Sequence, residues 1–416
     1  MIVSVIGLGY IGLPTAAILA SRGVKVIGTD INQNVVDIIN QGKIHIVEPD
    51  LDILVCQAVE SGYLKAVIEP EKADVFMVAV PTPFKDNYEP DLSYIKSAAK
   101  AIAPLLEKGN MVILESTSPV GTTQKMMRWM QEIRPDLNFP EFGVNDLNAD
   151  ISVAHCPERV MPGHVVRELV ENDRIIGGVT DQCAEKAKDL YKIFIESDCL
   201  LTDCRTAELS KLVENSFRDV NIAFANELSL ICDKLDIDVW ELIKLANKHP
   251  RVNILQPGPG VGGHCIAVDP WFIVNSAPNE AKLIKTARLV NDGKPEFVLE
   301  KINRAAEAIG KNISELSVAC LGLSFKPDID DLRESPALGI AQKIAQAGFG
   351  ATFLVEPNIN NIPNGFDGNN INLIDLEMAI MSSDIIVLLV DHTSFKFMDL
   401  DLLAGKQVID TRGIWS

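Results

Sequence analysis

The sequence predicts an α/β protein in which two doubly wound domains are joined by a central helical domain with one long helix. In the first part of the chain, short apolar runs alternate with helical patterns, as in a parallel sheet covered by helices. A long stretch without glycine or proline follows, and the last part returns to alternating strands and helices. The chain has 416 residues, and we expect domains at 1–195, 196–305 and 306–416.

The first predicted domain begins with strands at 2–6 and 24–29, separated by a helix at 10–21. Further continuous apolar runs at 75–80 and 111–114 predict two more strands. Strands that are apolar throughout, rather than at alternate positions, are typical of parallel sheets buried on both faces. The pattern therefore predicts a doubly wound sheet at the start of the chain.

The central domain is predicted from residues 207–235, which contain neither proline nor glycine. Apolar side chains recur there at helical spacing and outline one face, formed by Leu209, Leu212, Val213, Val220, Phe224 and Leu228. Shorter helices are expected at 239–247 and 281–291. We interpret the long helix as a spine between the two doubly wound domains.

The last predicted domain returns to alternating strands and helices. Strands are expected at 317–321, 351–355, 385–390 and 407–409, with a helix at 336–347. No G-x-G-x-x-G pattern follows its first strand. A similar architecture with a changed fingerprint favours a ligand different from that of the first domain.

The charge balance excludes some classes of protein. Thirty-eight basic and 57 acidic residues give a net charge of −19. A general nucleic-acid binder or a polybasic membrane anchor needs a cationic surface, so neither class fits. A small anionic ligand needs only a few well-placed donors and remains compatible with this charge.

Residues 1–21 contain no charged side chain, and in this respect they resemble a signal peptide or a membrane span. They lack the positive region that precedes the apolar part of a signal peptide, and they contain Gly7, Gly9, Gly12 and Pro14. A strand, a tight turn and a helix start explain them better. No other stretch approaches the roughly 20 apolar residues of a membrane helix, so we expect a cytoplasmic protein without membrane insertion.

The eight cysteines are scattered and lie at positions 56, 156, 183, 199, 204, 232, 265 and 320. No C-x-x-C pair occurs, and no group of cysteines and histidines has the spacing of a zinc site. We therefore expect a reduced protein without a metal, in which most thiols are buried.

A cofactor site is predicted where the first strand ends. Gly7, Gly9 and Gly12 form a G-x-G-x-x-G pattern between a strand and a helix, which is the Rossmann fingerprint for the pyrophosphate of a dinucleotide. Asp30 ends the second strand, where a carboxylate accepts hydrogen bonds from the ribose diol. The residues after Asp30 supply no cation for a 2′-phosphate, so the pattern favours NAD over NADP.

Two threonines are further candidates for cofactor contacts. Thr82 and Thr117 follow the strands at 75–80 and 111–114, and ligands bind at the carboxyl ends of such strands. Either threonine alone is equally typical of a turn or a helix cap.

Residues 256–265 end in a candidate nucleophile. This stretch is rich in glycine and proline and precedes Cys265. Glycine allows close approach of a backbone to a ligand, so the loop would present the thiol to a substrate. A lone cysteine is more often an inert core residue, and that reading stays open from the loop alone.

The long helix offers polar partners for such a thiol. Four polar residues spaced by three, four and three positions share one stripe: Glu208, Lys211, Asn215 and Arg218. A lysine facing the cysteine would stabilise a thiolate or a developing oxyanion. The alternative is a solvated helix face.

Eight motifs along the chain carry a family resemblance, and they read GLGYIG, VPTP, ESTSPVGTT, CPERV, ENSFRDVNIAFANEL, HPRVNILQPGPGVGGHCIAVDPWF, GLSFKPDIDDLRESP and DTRG. Over nearly its whole length the chain resembles the UDP-sugar 6-dehydrogenases of the UDP-glucose/GDP-mannose dehydrogenase family. The segments NSFRDVNIAFANE and HPRVNILQPGPGVGGHC resemble the acetamido-sugar branch of this family more than its UDP-glucose branch.

The resemblance implies a four-electron oxidation that uses two NAD per turnover. The implied substrate is UDP-N-acetyl-D-mannosamine, whose C6 hydroxymethyl group becomes an aldehyde and then the carboxylate of the uronate. Such a uronate would enter a bacterial surface polysaccharide of the enterobacterial common antigen type. UDP-N-acetylglucosamine and UDP-glucose are the alternative substrates within the family.

The resemblance also implies catalytic roles. Cys265 matches the nucleophile that holds the sugar as a thiohemiacetal and then a thioester. Lys211 matches the proton donor and acceptor that stabilises oxyanions, assisted by Asn215. Asp269 would orient a water or a base, and Glu158 matches a glutamate implicated in thioester hydrolysis.

Ligand contacts are implied in the same way. Besides the three glycines, the residues that match NAD contacts are Tyr10, Ile11, Asp30, Thr82, Thr117 and Arg333. Those that match UDP-sugar contacts, besides Lys211 and Asn215, are Arg159, Val160, Arg218, His249, Arg251, Gly262, Phe325, Lys326 and Arg412. In the family that the chain resembles, lysine is frequent at the position of Arg412, and the geometry of its contacts would differ from that of a bidentate arginine. Arg251 would reach the ligand of a neighbouring subunit, which implies a homodimer.

Two other functions share part of this pattern. A two-electron β-hydroxyacid-type dehydrogenase would use the first domain and the long helix, release one NADH per substrate and have no need of Cys265. An NAD-responsive regulator would need the glycine-rich turn but neither Cys265 nor the polar stripe.

Overall fold

The computed structural model describes residues 1–85, 88–144, 148–161, 163–263, 265–368 and 370–415. The chain divides into two compact units. The first comprises Met1–Glu214 and Asn275–Ala277, and the second comprises Asn215–Val274 and Pro278–Ser416. Each unit contains one β-sheet.

The sheet of the first unit has eight strands in the order β3-β2-β1-β4-β5-β6-β7-β8. The strands are β1 (Ile2–Ile6), β2 (Lys25–Thr29), β3 (Leu64–Val67), β4 (Val75–Val78), β5 (Met111–Leu114), β6 (Ser152–His155), β7 (Arg174–Gly178) and β8 (Cys199–Asp203). Neighbouring strands are parallel except β6 and β7, which pair in antiparallel fashion. The four strands predicted from apolar runs are all present, although β4 ends two residues earlier than expected.

Helices cover both faces of the sheet at its central strands, whereas the edge strand β8 is not buried. The helices are α1 (Gly12–Ser21), α2 (Gln33–Asn40), α3 (Leu51–Glu60), α4 (Ser93–Ile102), α5 (Thr122–Ile133), α6 (Val165–Glu171) and α7 (Asp181–Tyr191). Successive residues of β4 point to opposite faces: Met77 packs in one core cluster and Phe76 in the other. This two-sided burial is why the strand is apolar throughout.

The long helix α8 spans Cys204–Leu235 and begins three residues earlier than predicted. Asp203 fixes this start, because its carboxylate accepts hydrogen bonds from the backbone N–H groups of Arg205 and Thr206. The predicted apolar face is largely exposed. Leu209, for example, is 40% exposed, whereas Leu212 is buried.

The other central helices are α9 (Val239–Ala246), α10 (Asp269–Ser276) and α11 (Lys282–Ile309). The prediction that α11 ends at 291 is wrong, since the helix continues through Gly293 and Pro295. Tertiary contacts on both sides of this site compensate for the helix breakers: the Asn291 amide donates to Asp219, and the Lys294 ammonium donates to Ser229.

The sheet of the second unit has five parallel strands in the order β11-β10-β9-β12-β13. The strands are β9 (Ser317–Leu321), β10 (Ala351–Val355), β11 (Ile371–Leu373), β12 (Ile385–Leu388) and β13 (Gln407–Asp410). The helices that follow in this part are α12 (Pro336–Gln346), α13 (Leu376–Ser382) and α14 (Thr393–Lys396). Apolar cores lie on both sides of this sheet as well.

The predicted fold class is confirmed, with two Rossmann-like sheets and a central helical region that includes α8. The domain boundaries expected at 195 and 305 stay predictions. Within the ranges that the structure describes, no helix combines the length and the apolar character needed to cross a membrane.

Candidate active site

The glycine-rich turn after β1 has no room for side chains at two of its three glycines. A Cβ atom at Gly12 would lie 1.8 Å from the carbonyl oxygen of Gly7, and one at Gly7 would lie 2.6 Å from that of Ala79. Gly7 also has a φ of 92°, which favours glycine. At Gly9 the space is open, so this position leaves the backbone accessible to a ligand.

Asp30 ties this turn to the end of β2. Its carboxylate accepts hydrogen bonds from the backbone N–H of Leu8 at 3.0 Å and of Asn32 at 2.9 Å. A carboxylate has about four acceptor positions, so capacity remains for a ribose diol. Tyr10 is exposed and Ile11 half-buried, immediately before the start of α1. The helix N-terminus there suits phosphate groups.

Thr82 and Thr117 follow β4 and β5 at the carboxyl edge of the same sheet. The two segments are joined by Ser116, whose hydroxyl donates to the carbonyl of Val80 at 2.7 Å. The Thr82 hydroxyl is buried and has no hydrogen-bond partner among the described residues. This free hydroxyl, the closed glycine turn and Asp30 together fit a bound dinucleotide.

Glu158 and Lys211 lie in the first unit, and their charges interact. Glu158 follows β6, and Lys211 lies on α8 with 9% of its surface exposed. Burial raises the pKa of Glu158 to about 7, although the positive charges of Lys211 and Arg174 act in the opposite direction. A carboxyl group that titrates near neutral pH is suited to general acid–base catalysis.

Glu208 does not belong to this pair, so the stripe hypothesis is wrong for this residue. Its carboxylate accepts hydrogen bonds from the backbone N–H groups of Gly121 and Thr123 and from the Thr123 hydroxyl. Glu208 therefore caps the N-terminus of α5, where a negative charge is favourable. Its position one turn before Lys211 gave no sign of this role.

In the second unit, Asn215 and Asp269 contact each other directly. The Asn215 amide donates to the Asp269 carboxylate at 2.6 Å, and Asp269 is 3% exposed at the start of α10. The backbone carbonyl of Cys265 accepts hydrogen bonds from the N–H groups of Val268 and Asp269. Cys265 thus lies one turn before the helix that carries Asp269.

Cys265 is also the accessible thiol. All eight cysteines lie in the described part of the chain, and Cys265 is the only exposed one. Burial raises the pKa values of Cys156, Cys204 and Cys320 to about 12, so these thiols stay protonated at neutral pH. The expectation that most thiols are buried is confirmed.

The glycine-rich loop before Cys265 packs closely against the segment after β9. A Cβ atom at Gly262 would lie 2.3 Å from the carbonyl oxygen of Glu334, and one at Gly263 would lie 3.0 Å from the Phe325 ring. At Gly258 it would lie 2.6 Å from Nη1 of Arg412. The structure thereby brings together two residues that were predicted as substrate contacts, Gly262 and Phe325, and places a third, Arg412, beside Gly258 of the same loop.

The arginines near this loop have acidic partners. Arg412 donates from Nε to Asp391 at 2.8 Å, with its Nη2 at 2.7 Å from the same carboxylate. Arg333 is exposed and pairs with Asp331 two residues earlier. Lys326 is exposed. Their roles as ligand contacts stay predictions.

The remaining predicted substrate contacts are dispersed over both units. In the first unit, Arg159 forms an ion pair with Glu214 at 2.8 Å, and Val160 packs partly buried against the core. In the second unit, Arg218, His249 and Arg251 are exposed, and the ring Nδ1 of His249 accepts a hydrogen bond from the backbone N–H of Arg251 at 3.3 Å.

A buried charged group interacts with Glu158 and was not predicted from the sequence. It contains Arg174, Glu115 and Tyr191, which are 3%, 2% and 0% exposed. Glu115 follows a predicted strand end, which was the one available signal. Nothing in the local pattern marks Arg174 or Tyr191.

Family models cover most of the chain. The UDP-glucose/GDP-mannose dehydrogenase family matches over residues 1–195 with its NAD binding domain, 205–293 with its central domain and 319–416 with its UDP binding domain. The prediction of NAD as the cofactor is thereby confirmed.

Individual relatives are similar over nearly their full lengths. The UDP-N-acetyl-D-mannosamine dehydrogenase of Campylobacter jejuni is 65% identical over 395 residues, which cover 94% of this chain and 96% of that protein. The NDP-N-acetyl-D-galactosaminuronic acid dehydrogenase of Ralstonia nicotianae is 61% identical over 414 residues, covering 100% and 96%. The structure of the UDP-D-ManNAc dehydrogenase from Pyrococcus horikoshii superposes with a TM-score of 0.87 at 38% identity, covering 100% and 96%. This chain belongs to the UDP-glucose/GDP-mannose dehydrogenase family, and it is an NAD-dependent enzyme of that family.

Proposed function

We propose that this enzyme oxidises UDP-N-acetyl-D-mannosamine at C6 to the uronate, in two steps that share one covalently held intermediate. The single observation that carries this proposal is the exposed thiol of Cys265, which follows a closely packed glycine loop while the other thiols are buried or half-buried. A two-electron dehydrogenase has no use for such a nucleophile. The relatives named UDP-N-acetyl-D-mannosamine dehydrogenase, at 58–65% identity, support the choice of sugar.

The residues of the first unit handle the proton of the first step. When bound, NAD supplies a hydride acceptor for each of the two oxidations. In this step the amine form of Lys211 takes the proton of the C6 hydroxyl and, as an ammonium, holds positive charge beside the carbonyl oxygen that forms. Its burial strengthens this interaction, because charges act more strongly at low effective dielectric.

Cys265 then keeps the half-oxidised carbon on the enzyme. Its thiolate adds to the C6 aldehyde, and the resulting oxyanion takes a proton to give a thiohemiacetal. Loss of a second hydride and a proton gives a thioester, and water then releases the carboxylate and the free thiol. Asn215, fixed by Asp269 at 2.6 Å, orients the groups around this adduct.

Glu158 activates the hydrolytic water. The raised pKa of about 7 keeps a fraction of Glu158 ionised at neutral pH and still makes it an effective proton acceptor. Hydrolysis should therefore accelerate as the pH rises through about 7, because the base acts in its deprotonated form.

The sugar epimer is the finer part of the proposal. The UDP binding domain comprises residues 319–416. The contacts proposed there for the sugar nucleotide include Phe325, Lys326 and Arg412. A second candidate substrate is a nucleotide-linked N-acetylgalactosamine, favoured by the Ralstonia relatives at 59–61% identity. UDP-N-acetylglucosamine and UDP-glucose remain the alternatives. The uronate product would enter a bacterial surface polysaccharide.

We also propose a homodimer. The long helix α8 exposes large apolar side chains at intervals of four or seven residues: Leu209, Val213, Phe217, Phe224, Ile231 and Leu235. Such a stripe on a 32-residue helix is suited to packing against a second copy of itself. Arg251, which is exposed, would then reach the ligand of the partner.

Product analysis tests the proposed reaction. The enzyme is incubated with NAD and, separately, with the UDP derivatives of N-acetylmannosamine, N-acetylglucosamine, N-acetylgalactosamine and glucose. We expect two NADH per UDP-N-acetylmannosamine consumed and a uronate product by mass spectrometry. A ratio near one, with aldehyde or ketone as the product, contradicts the two-step mechanism.

A further inference from the structure

A buried cation lies beside the proposed hydrolytic base and has no assigned role. Arg174 is the first residue of β7 and is 3% exposed. Burying a guanidinium is costly unless its charge is compensated. Within the described ranges, no carboxylate oxygen lies within 4.0 Å of it to form an ion pair. Arg174 therefore acts on carboxyl groups through its field rather than through a contact pair.

The side chain of Arg174 is held in one place from two sides. Its Nη1 donates to the backbone carbonyl of Pro157 at 3.5 Å, and Pro157 directly precedes Glu158. Its guanidinium carbon lies 5.6 Å from the ring centroid of Tyr191, within range of a cation–π interaction. Arg174 is thereby fastened to the backbone segment that carries the base.

A second buried carboxyl group, that of Glu115, also interacts with the charge of Arg174. The Tyr191 hydroxyl donates to Oε1 of Glu115 at 2.7 Å, while Oε2 of Glu115 is buried and has no partner among the described residues. Burial raises the pKa of Glu115, and the charge of Arg174 opposes that rise. Arg174 thus acts on two carboxyl groups, Glu115 and Glu158.

Four charged groups from different parts of the first unit act on Glu158. Positive charge comes from Lys211 on α8 and Arg174 on β7, and negative charge comes from Glu115 after β5 and Glu168 on α6. Lys211 is already used at the reacting sugar. Of the remaining groups, Arg174 and Glu115 are the buried pair with opposite signs.

We propose that Arg174 is a positioning residue that sets the protonation state of Glu158 during thioester hydrolysis, with the Glu115–Tyr191 pair as its negative counterpart. This inference rests on the proposed role of Glu158 as the base. The positive charge favours the ionised base, and the carboxylate of Glu115 disfavours it, so the two neighbours act with opposite signs.

The test uses this opposition of sign. The rate of uronate release is measured from about pH 5.5 to about pH 9.5 for the wild type, Arg174→Gln and Glu115→Gln. Arg174→Gln should shift the acidic limb of the profile to higher pH by about one unit. At pH values on the acidic side of the limb, hydrolysis should then be about tenfold slower than in the wild type. Glu115→Gln should move the same limb downward.

Three further variants complete the design. Arg174→Lys keeps the charge and should restore most of the wild-type limb. Tyr191→Phe removes a hydrogen bond that favours ionised Glu115, so its limb should move downward as in Glu115→Gln. At low pH, intact-mass measurement should show more thioester on Arg174→Gln than on the wild type, while KM for NAD changes little.

The outcomes separate this inference from the proposed function. If Glu158→Gln keeps a wild-type limb, the assignment of the base fails. If Glu158→Gln removes the limb but Arg174→Gln and Glu115→Gln leave it in place or move it in the same direction, the role of Arg174 fails. Should Arg174→Gln not fold by circular dichroism, Glu115→Gln and Tyr191→Phe still decide by the direction of their shifts.

Discussion

At the scale of single residues, burial separates the chemistry of side chains that look alike in the sequence. Eight cysteines are present, and the local pattern singles out Cys265 only by the glycine loop before it. The structure adds that Cys265 is exposed, whereas burial raises the pKa of thiols such as Cys156 to about 12. The sequence thus predicts Cys265 as the candidate nucleophile, and the structure adds that the buried thiols are protected by packing.

Replacing the nucleophile should stop acid formation without preventing binding. In Cys265→Ala, uronate release should fall by several powers of ten, each worth about 1.4 kcal/mol of activation barrier. The UDP-sugar should still bind, because its other contacts remain. Calorimetric binding and mass-spectrometric product analysis check both expectations. Cys56→Ala, at a half-buried thiol on α3, serves as the control and should retain activity. Near-normal uronate formation by Cys265→Ala contradicts the nucleophile assignment.

Glu158 should also make the stability of the enzyme depend on pH. Its folded pKa is raised by burial from 4.5 to about 7, so the folded state favours the protonated form. This contribution is complete at low pH and is lost as the pH rises through about 7. Glu158→Gln removes the cost of ionisation and should gain up to roughly 3 kcal/mol of unfolding free energy at pH 8 relative to pH 4.

Urea unfolding of the wild type and Glu158→Gln at both pH values measures this difference. Glu227→Gln, at an exposed position of α8, is the matched control and should leave the pH dependence unchanged. Equal pH dependence in the wild type and Glu158→Gln would show that the carboxyl group is not desolvated.

At the scale of elements, the sequence predicts strands better than helix ends. Strands β1, β5, β9 and β10 have the predicted bounds, because two-sided burial demands continuous apolar residues. The end of α11 was missed, because local rules read Gly293 and Pro295 as breakers, whereas Asn291 and Lys294 anchor the helix to α8.

The site shows the same division. The glycine turn, Asp30 and the loop before Cys265 follow from local spacing, since their chemistry needs residues that are close in sequence. Glu208 was assigned to the wrong group because its partners, Gly121 and Thr123, are distant in the chain. Arg174 was missed for the same reason.

Two glycines on neighbouring elements should respond to alanine in opposite ways. Gly262→Ala places a Cβ atom 2.3 Å from the Glu334 carbonyl oxygen, so the loop before Cys265 must shift. We expect kcat/KM for the UDP-sugar to fall at least about tenfold, since small displacements of reacting groups cost that much. KM for NAD should change little.

Gly293→Ala is the matched control within α11. No atom lies within 4 Å of a Cβ added there, and the position is inside a helix. Alanine should therefore stabilise the enzyme by about 0.5–1 kcal/mol and leave kcat/KM unchanged. Thermal unfolding and steady-state kinetics measure both variants. A Gly262→Ala enzyme with wild-type kcat/KM would show that the loop tolerates displacement.

At the scale of the whole molecule, α8 presents two faces of different character, one with buried polar contacts and one with exposed apolar side chains. Buried polar residues such as Asp219 and Asn226 connect to Arg288 and Asn291 of α11 and to the backbone of Gly258. The exposed apolar residues of the same helix make none of these connections. This exposed apolar stripe on an otherwise acidic enzyme supports the proposed dimer.

The proposed dimer should therefore depend on Phe217 and Phe224, which are 68% and 54% exposed and seven residues apart on α8. Replacing both by aspartate puts like charges at the centre of a two-fold interface, where each faces its own copy or a close neighbour. Analytical ultracentrifugation should show a dimer for the wild type and a monomer for Phe217→Asp/Phe224→Asp. Phe397→Asp, at an 84% exposed phenylalanine elsewhere, is the control and should stay dimeric.

The activity of the monomeric variant connects assembly to the site. If Arg251 reaches the ligand of the partner, the double variant should lose affinity for the UDP-sugar while NAD binding is retained. Arg251→Ala in the dimer should reproduce that loss, because it removes the same contact without separating the subunits. If Phe217→Asp/Phe224→Asp remains dimeric, the interface does not lie on this face of α8. A monomer with unchanged KM for the UDP-sugar makes each subunit complete by itself, since no contact from a partner would then be needed.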